Sequence, residues 1–141
     1  MRVTSTGFRF PVPDAGTYWY HSHYLSYEQV ARGLFGPLIV EEPAPPDVDQ
    51  DITAILFDIR LDDTGQFDME FDRADFITAG RLGNLMTTFL SSEQARLGDH
   101  IRLRLINPTP DRIFEIRIDG LTGFVWPMTG CRCPSWFRWA I

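Results

Sequence analysis

Two histidines, His21 and His23, are the residues whose type and spacing could do chemistry together. Alternate residues of a β-strand point to the same face, so both imidazoles should project together with Trp19 beside them. Two imidazoles held on a rigid strand preorganise a metal site, and imidazole suits copper, zinc, iron and nickel alike. An isolated H-x-H also occurs as an ordinary surface pair. The flanking sequence must therefore decide between a metal site and an ordinary surface pair of histidines.

The segments around the histidines indicate an all-β fold. Residues 17–23 are dense in β-branched and aromatic side chains, which fit a pleated surface. They follow residues 11–16, a run of turn formers. Residues 34–41 predict a second strand, in which Gly36-Pro37 suggests a bulge or an edge position. The intervening residues 24–33 have room for one helical turn.

The second half of the chain also predicts strands. Residues 51–61 are a strand candidate, and residues 62–65 a turn. Residues 101–105 alternate strictly between apolar and arginine side chains, which predicts the leucines on a core face and the arginines toward water. Residues 114–119 alternate again, and we expect them to form a hairpin with the preceding strand. The arginines then line a solvated face rather than a ligand site.

A proline-rich stretch divides the chain. Residues 43–49 contain three prolines within a few positions, which stiffens the backbone and removes hydrogen-bond donors. We therefore expect residues 1–42 to be the C-terminal part of a first domain and residues 50–125 a second, partial domain. Each is predicted to be an incomplete Greek-key β-sandwich, whose unpaired sheet edges could drive self-association.

Composition excludes several classes of partner. The chain has 141 residues and a formal net charge of -6, which argues against a nucleic-acid partner because phosphates need a basic surface. No stretch is long and apolar enough to span a bilayer. Cys131 and Cys133 lie too close together to form a disulfide framework. The sequence itself does not indicate a cellular location.

A resemblance to a known family rests on the residues around the histidines. The stretch P-D-A-G-T-Y-W-Y-H-S-H, followed by E-Q-V-A-R-G-L-F-G-P-L-I-V-E-E, resembles the second copper-binding motif of multicopper oxidases, the family of laccases and copper-efflux oxidases. The spacing from the histidines to the G-L-x-G-x-L-I-V-E strand is part of the pattern. Further on, G-D-H-I-R-L-R-L-I-N-P resembles the middle cupredoxin domain of the same proteins. The resemblance covers about residues 8–124.

The resemblance implies a cupredoxin-like fold and copper as cofactor. In that family, His21 and His23 would each bind one copper of the type 3 pair in a trinuclear cluster. A reducing substrate, phenol-like or a metal ion, would donate electrons that reduce dioxygen to water. A periplasmic or secreted location is implied too. Ser22 and Glu28 are candidates to orient the imidazoles, although packing or solvation is the expected role of each.

The chain departs from the family in ways that leave its own activity open. In the family, a Cys-His dipeptide bridges the cluster to a type 1 copper, and this sequence contains no such dipeptide. It also lacks the motifs that supply the other cluster ligands in the family. One alternative is a non-catalytic copper-binding or truncated structural module. Another is a mononuclear-metal cupin, because Gly16, both histidines, Glu28 and Gly33 nearly reproduce the first cupin motif. Both glycine spacings are too short, however, and the second cupin motif is missing.

The last segment, residues 126–141, does not fit the family pattern. It holds three of the four tryptophans and both cysteines. Reading residues 129–133 back into GC-rich codons and shifting by one base gives Asp-Gly-Met-Pro-Leu, which would suit the family after a strand. We therefore expect an aberrant, frame-shifted tail rather than a metal-binding cysteine pair.

Overall fold

The computed structural model describes residues 7–72, 75, 81–92, 94–120 and 122–123. Five strands and one helix follow in chain order: β1 Gly16–His21, α1 Ser26–Ala31, β2 Phe35–Val40, β3 Gln50–Ile59, β4 Leu85–Leu90 and β5 Ile101–Ile106. The all-β prediction is confirmed. No helix in these ranges has the length and apolar character needed to cross a bilayer. The predicted tail, residues 126–141, lies outside the described residues.

The first sheet is a hairpin of β1 and β2, which pair antiparallel in an unbroken register from Gly16 opposite Val40 to His21 opposite Phe35. Both predicted strands are confirmed with ends shifted by one or two residues. Within the described chain β2 has no second neighbour, which agrees with the predicted edge position. A Cβ at Gly36 would overlap the ring of Tyr20, so only glycine lets this ring pack across the strand.

Helix α1 joins the two strands of the hairpin. At six residues it is slightly longer than the single turn predicted from the sequence. It buries Val30 and Ala31, and its preceding residue, Leu25, has a left-handed backbone with φ of 44°. This conformation is unfavourable for a residue with a Cβ. It turns the chain sharply between the end of β1 and the start of the helix.

The second sheet has the strand order β4-β3-β5, with β3 antiparallel to β4 and parallel to β5. The predicted turn at residues 62–65 is present, since the Asp62 amide donates to the Gln66 carbonyl at 2.8 Å. No pattern in the sequence predicted β4. Its side chains are mostly exposed, which leaves little hydrophobic alternation to detect.

The predicted hairpin between residues 101–105 and 114–119 is wrong. Instead β5 pairs with β3, and residues 107–120 contain no strand. The cause is a loop folded around the side chain of Asn107. Its Nδ2 donates to the Arg112 carbonyl at 2.8 Å, and its Oδ1 accepts from the Thr109 backbone amide at 3.1 Å. Pro108, inside this loop, is fully buried. Side-chain bonding to nearby backbone redirects the chain away from a tight hairpin.

The predicted orientation of β5 is also wrong. Arg104 is 6% exposed, whereas Leu103 and Leu105 are 37% and 46% exposed. The alternation is real, but the arginines face the hairpin of β1 and β2 instead of water. Carboxylates at Asp51 and Glu42 make this possible, because they pair with the guanidinium groups where the two sheets meet.

An apolar contact also joins the two sheets. Phe35 of β2 packs on Phe57 of β3 with ring centroids 4.8 Å apart, and Phe57 is 3% exposed. Other buried apolar residues of the second sheet are Ile52, Ala54 and Ile106. Residues 41–49 between the sheets contain no helix or strand.

Candidate metal centre

Three aromatic rings stand in a row at the end of β1. The rings of Trp19 and His21 are stacked with centroids 4.5 Å apart, and those of His21 and His23 with centroids 5.0 Å apart and planes 21° from parallel. The structure thus brings the two predicted site histidines together, with Trp19 beside them. Trp19 and His21 are half-buried, whereas His23 is exposed. Because β1 ends at His21, His23 belongs to the turn that follows.

The ring of His21 is fixed by two contacts at Nδ1. This nitrogen lies 3.0 Å from the Ser22 carbonyl oxygen and 3.1 Å from the Ser26 hydroxyl oxygen. A carbonyl can only accept, so the first contact requires a proton on Nδ1. A neutral imidazole in this form keeps its lone pair on Nε2. Metal-binding histidines usually donate their other ring N–H in this way.

The turn after β1 brings the start of α1 back against His21. Within it, the Ser22 hydroxyl accepts from the Tyr24 amide at 3.1 Å and donates to the Tyr24 carbonyl at 3.2 Å. The left-handed Leu25 follows, and α1 begins at Ser26. This local folding places a residue five positions after His21 within hydrogen-bond distance of its ring.

The residues that contact the histidine rings differ from those that the sequence indicated as candidates to orient them. The Glu28 carboxylate forms an ion pair with Arg32 at 2.7 Å, one helical turn away, and not with a histidine. Ser22 contributes its carbonyl rather than its hydroxyl. Ser26 was missed, and nothing in its spacing would have indicated it, because its position depends on the unusual backbone at Leu25.

The hairpin is connected to the second sheet by a cluster of charged residues, which we call the joint and define as Glu42, Asp51, Arg102 and Arg104 together with Thr17. Arg104 donates to the Thr17 hydroxyl at 2.8 Å and to both Asp51 carboxylate oxygens at 2.7 and 2.8 Å. Thr17 lies in β1, the strand that ends at His21. The joint therefore fixes the strand of the candidate centre to β5.

Arg102 completes the joint. It donates to Glu42 at 2.9 Å and also pairs with Asp51. The hydrogen bond from Arg104 lowers the pKa of Asp51 below its ordinary value, with further lowering by Arg102 and opposition from burial. The carboxylate is thus held in its charged form between two arginines.

The donor set at the row of rings is suitable for copper but incomplete. Imidazole nitrogen is a ligand that copper accepts well, and the Nδ1 contacts of His21 are those of a histidine whose Nε2 is free to bind. Within the described ranges, no three His, Cys, Asp or Glu side chains lie close enough to hold one metal ion. His21 and His23 fit as part of a ligand set.

Comparisons with known proteins bear on this centre. A family model described as multicopper oxidase matches residues 3–45, the segment that contains both histidines. The laccase of Phlebia radiata is 34% identical over 124 residues, covering 80% of this chain and 24% of that protein. A copper resistance protein A homolog from Pseudomonas syringae pv. tomato is 28% identical over 163 residues, covering 81% and 27%. The chain spans about a quarter of the length of these relatives.

A solved structure extends the likeness to three dimensions. Lac15 from a marine microbial metagenome is 48% identical, with a TM-score of 0.65 over 80% of this chain and 28% of that one. Together with the strands described above, this match confirms the predicted cupredoxin-like fold class. The chain therefore belongs to the multicopper oxidase family, and it corresponds to a part of such a protein.

Proposed function

We propose that His21 and His23 bind copper as members of the type 3 pair of a trinuclear cluster, one histidine to each ion. The observation that carries this proposal is the pair of stacked imidazoles 5.0 Å apart, with Nδ1 of His21 bound by the Ser22 carbonyl and the Ser26 hydroxyl. The other ligands would come from segments that this chain does not contain. Bound copper supplies one-electron redox chemistry.

The whole protein is proposed to be an oxidoreductase that takes electrons from a phenol-like or metal-ion substrate and reduces dioxygen to water. This proposal is supported by family membership and by relatives named as laccases. A periplasmic or secreted location is part of the same proposal. The contribution of this chain is to hold two imidazoles in place, with Trp19 packed against one of them and the joint fixing their strand.

The proposed domain organisation follows the sequence. Residues 1–42 would be the C-terminal part of a first cupredoxin domain, and residues 43–49 a linker. Residues 50–125 would be part of a second domain, and residues 126–141 an aberrant tail. The irregular backbone at residues 41–49 supports the linker.

A second candidate function is a copper-binding module without catalysis. It is favoured by the lack of a third candidate ligand near the histidines within the described ranges. In addition, the sequence contains no Cys-His dipeptide. The 141-residue chain alone is therefore expected to bind copper weakly, because losing ligands from a three-histidine site leaves each imidazole competing with water.

The test is copper binding by the purified 141-residue chain, compared with a double variant, His21→Ala and His23→Ala. We expect colourless or faintly coloured protein whose weak copper binding is lost in the double variant, and no oxidation of a phenol above the rate of free copper. His100→Ala removes the third histidine, which is exposed and 3.7 Å from Asp49, and serves as the matched control. Calorimetry, visible absorption and dioxygen uptake are the measurements.

Two outcomes would contradict these expectations. Equal copper binding by the wild type and the double variant would exclude His21 and His23 as ligands. A blue species, or phenol oxidation that the double variant abolishes, would show that the chain assembles a working site without the absent ligands. The first outcome removes the copper proposal, and the second removes the proposal that further segments complete the site.

A further inference from the structure

We infer that Ser26 is a positioning residue for the candidate metal centre: its hydroxyl, together with the Ser22 carbonyl, holds the proton of His21 on Nδ1 and thereby keeps the lone pair on Nε2. The inference rests on the proposed copper-binding function, which gives the free Nε2 its purpose. It concerns a hydroxyl that the sequence pattern did not indicate.

The two oxygens act on the same ring nitrogen from different parts of the chain. The Ser22 carbonyl belongs to the next residue and lies 3.0 Å from Nδ1, whereas the Ser26 hydroxyl belongs to the first residue of α1 and lies 3.1 Å away. The carbonyl accepts only, so the shared proton must reside on Nδ1 for both contacts to be hydrogen bonds. With one acceptor local and one on the helix, the ring is restrained against rotation as well as against tautomer exchange.

The hydroxyl of Ser26 is not engaged in the role that serine usually has at a helix start. Serine is favoured there because its oxygen accepts from the free amides of the first turn. In α1 the capping position is Leu25, and no side chain caps the helix. The Ser26 oxygen instead contacts His21. The first turn of this helix therefore forgoes a side-chain cap while its serine contacts the ring.

The backbone at Leu25 is what makes this contact possible. Its φ of 44° is the one positive value at a non-glycine residue among those described. Such a conformation persists when surrounding contacts hold it. Here the Gln29 amide donates to the Leu25 carbonyl at 2.9 Å, and the Ser22 hydroxyl braces the turn at Tyr24. The turn and helix together deliver the Ser26 oxygen to the imidazole.

The test reads the tautomer of His21 directly, in metal-free protein. Nitrogen-15 chemical shifts of the ring, recorded on the 141-residue chain where its histidines are neutral, distinguish a proton on Nδ1 from one on Nε2. We expect His21 to carry its proton on Nδ1. In Ser26→Ala the ratio of the Nδ1-protonated tautomer to the Nε2-protonated tautomer should fall about twofold to tenfold, which is the effect of losing one neutral hydrogen bond. Ser26→Thr keeps the hydroxyl and should restore the wild-type ratio.

Two further variants separate the hydroxyl from its surroundings. Ser92→Ala removes a hydroxyl from the turn after β4 and should leave the tautomer of His21 unchanged. Ser22→Ala loosens the turn at Tyr24 without removing an acceptor from the ring. Because the Ser26 hydroxyl remains, Ser22→Ala should change the tautomer of His21 less than Ser26→Ala does. If Ser92→Ala shifts the tautomer as much as Ser26→Ala does, or if His21 in the wild type has its proton on Nε2, the inference is overturned.

Copper binding provides an independent readout. Residues that orient a ligating histidine typically contribute about tenfold to a hundredfold in metal affinity. Ser26→Ala should therefore weaken copper binding by about tenfold, and Ser26→Thr should not. If Ser26→Ala alters the tautomer but the His21→Ala, His23→Ala variant binds copper normally, the proposed function fails while the positioning of the ring stands. If Ser26→Ala changes neither the tautomer of His21 nor the copper affinity, the inference about Ser26 is overturned while the proposed copper binding stands.

Discussion

The hairpin of β1 and β2 and the sheet of β4, β3 and β5 use their polar side chains in opposite ways. In the hairpin, the imidazoles are half-buried or exposed and stack on each other and on an indole. In the sheet and in the segment between β3 and β4, several charged side chains are buried and paired. Asp58, at 5% exposure, pairs with Arg112 at 2.7 Å, and Arg81, at 4%, pairs with Asp75 at 3.3 Å. Polar groups are available for ligands in one region and serve structure in the other.

This contrast shows that the hairpin depends on the sheet for its position. A two-stranded hairpin alone is marginally stable in water, and of the buried apolar residues in the described chain, Val30 and Ala31 belong to its helix. Two of the contacts that attach it to the sheet are the packing of Phe35 on Phe57 and the hydrogen bond from Arg104 to Thr17. The geometry of the candidate centre is thus decided partly by residues of the other region.

The largest expected effect comes from the apolar attachment. Phe57→Ala should lower the free energy of unfolding by about 4 kcal/mol, because a fully buried ring is replaced by a cavity. Phe35→Ala should cost less, because Phe35 is only half-buried. Urea unfolding followed by far-ultraviolet circular dichroism measures both. Equal losses in the two variants would show that the hairpin side of the contact is as fully packed as the sheet side, and would remove the contrast.

The charged attachment should have the next largest effect. Asp51→Ala leaves Arg104, 6% exposed, without its main partner. Because the Asp51 side chain is itself 34% exposed, the loss should be about 1 to 3 kcal/mol, the cost of leaving a buried donor unsatisfied. Urea unfolding gives the global loss. Amide hydrogen exchange should show β1 losing protection, since Arg104 would no longer be held toward Thr17.

A matched control separates charge from packing at the same position. Asp51→Asn keeps the shape and one accepting oxygen, so it should recover part of the stability lost in Asp51→Ala. Thr17→Val removes only the hydroxyl that accepts from Arg104 and should expose the β1 amides to exchange with a smaller global loss. If Asp51→Ala raises exchange in β3 and β4 but not in β1, the joint does not hold the hairpin.

The elements that the sequence predicted correctly are those whose evidence is local. Residues 17–23 and 34–41 are rich in strand-forming side chains bounded by turn formers, and both form strands within one or two residues of the prediction. The turn at residues 62–65 is stabilised by its own Asp62. The alternation of side chains along a strand predicted His21 beside His23, and the rings do stack, although β1 ends at His21 and His23 lies in the turn that follows.

What the sequence could not predict depends on distant partners. The alternation of residues 101–105 is correct, yet its faces are reversed, because Asp51 lies fifty-one positions from Arg102 and fifty-three from Arg104. The two-residue alternation alone predicts that the two faces of the strand differ, and it does not predict which face packs against the rest of the protein. The contact of Ser26 with His21 was likewise hidden, since it depends on the backbone of Leu25.

The smallest expected effect is a dependence of hairpin attachment on acid. The hydrogen bond from Arg104, aided by Arg102, lowers the pKa of Asp51 below its ordinary value of 3.8. A carboxyl group with a lower pKa in the folded state contributes stability above its unfolded pKa and loses that contribution as the pH falls through the folded value. Protection of β1 amides should therefore decline below about pH 4, relative to β3 and β4.

Asp62 and Asp68 also have lowered pKa values, held down by the Thr64 hydroxyl and the Glu70 amide, and they provide an acid response that Asp51→Asn does not remove. We expect Asp51→Asn to abolish the selective loss in β1 while the general loss of stability in acid persists. Hydrogen exchange at pH 6, 4 and 3 measures the difference, and an unchanged selective loss in Asp51→Asn would assign it to another carboxylate of the joint, Glu42.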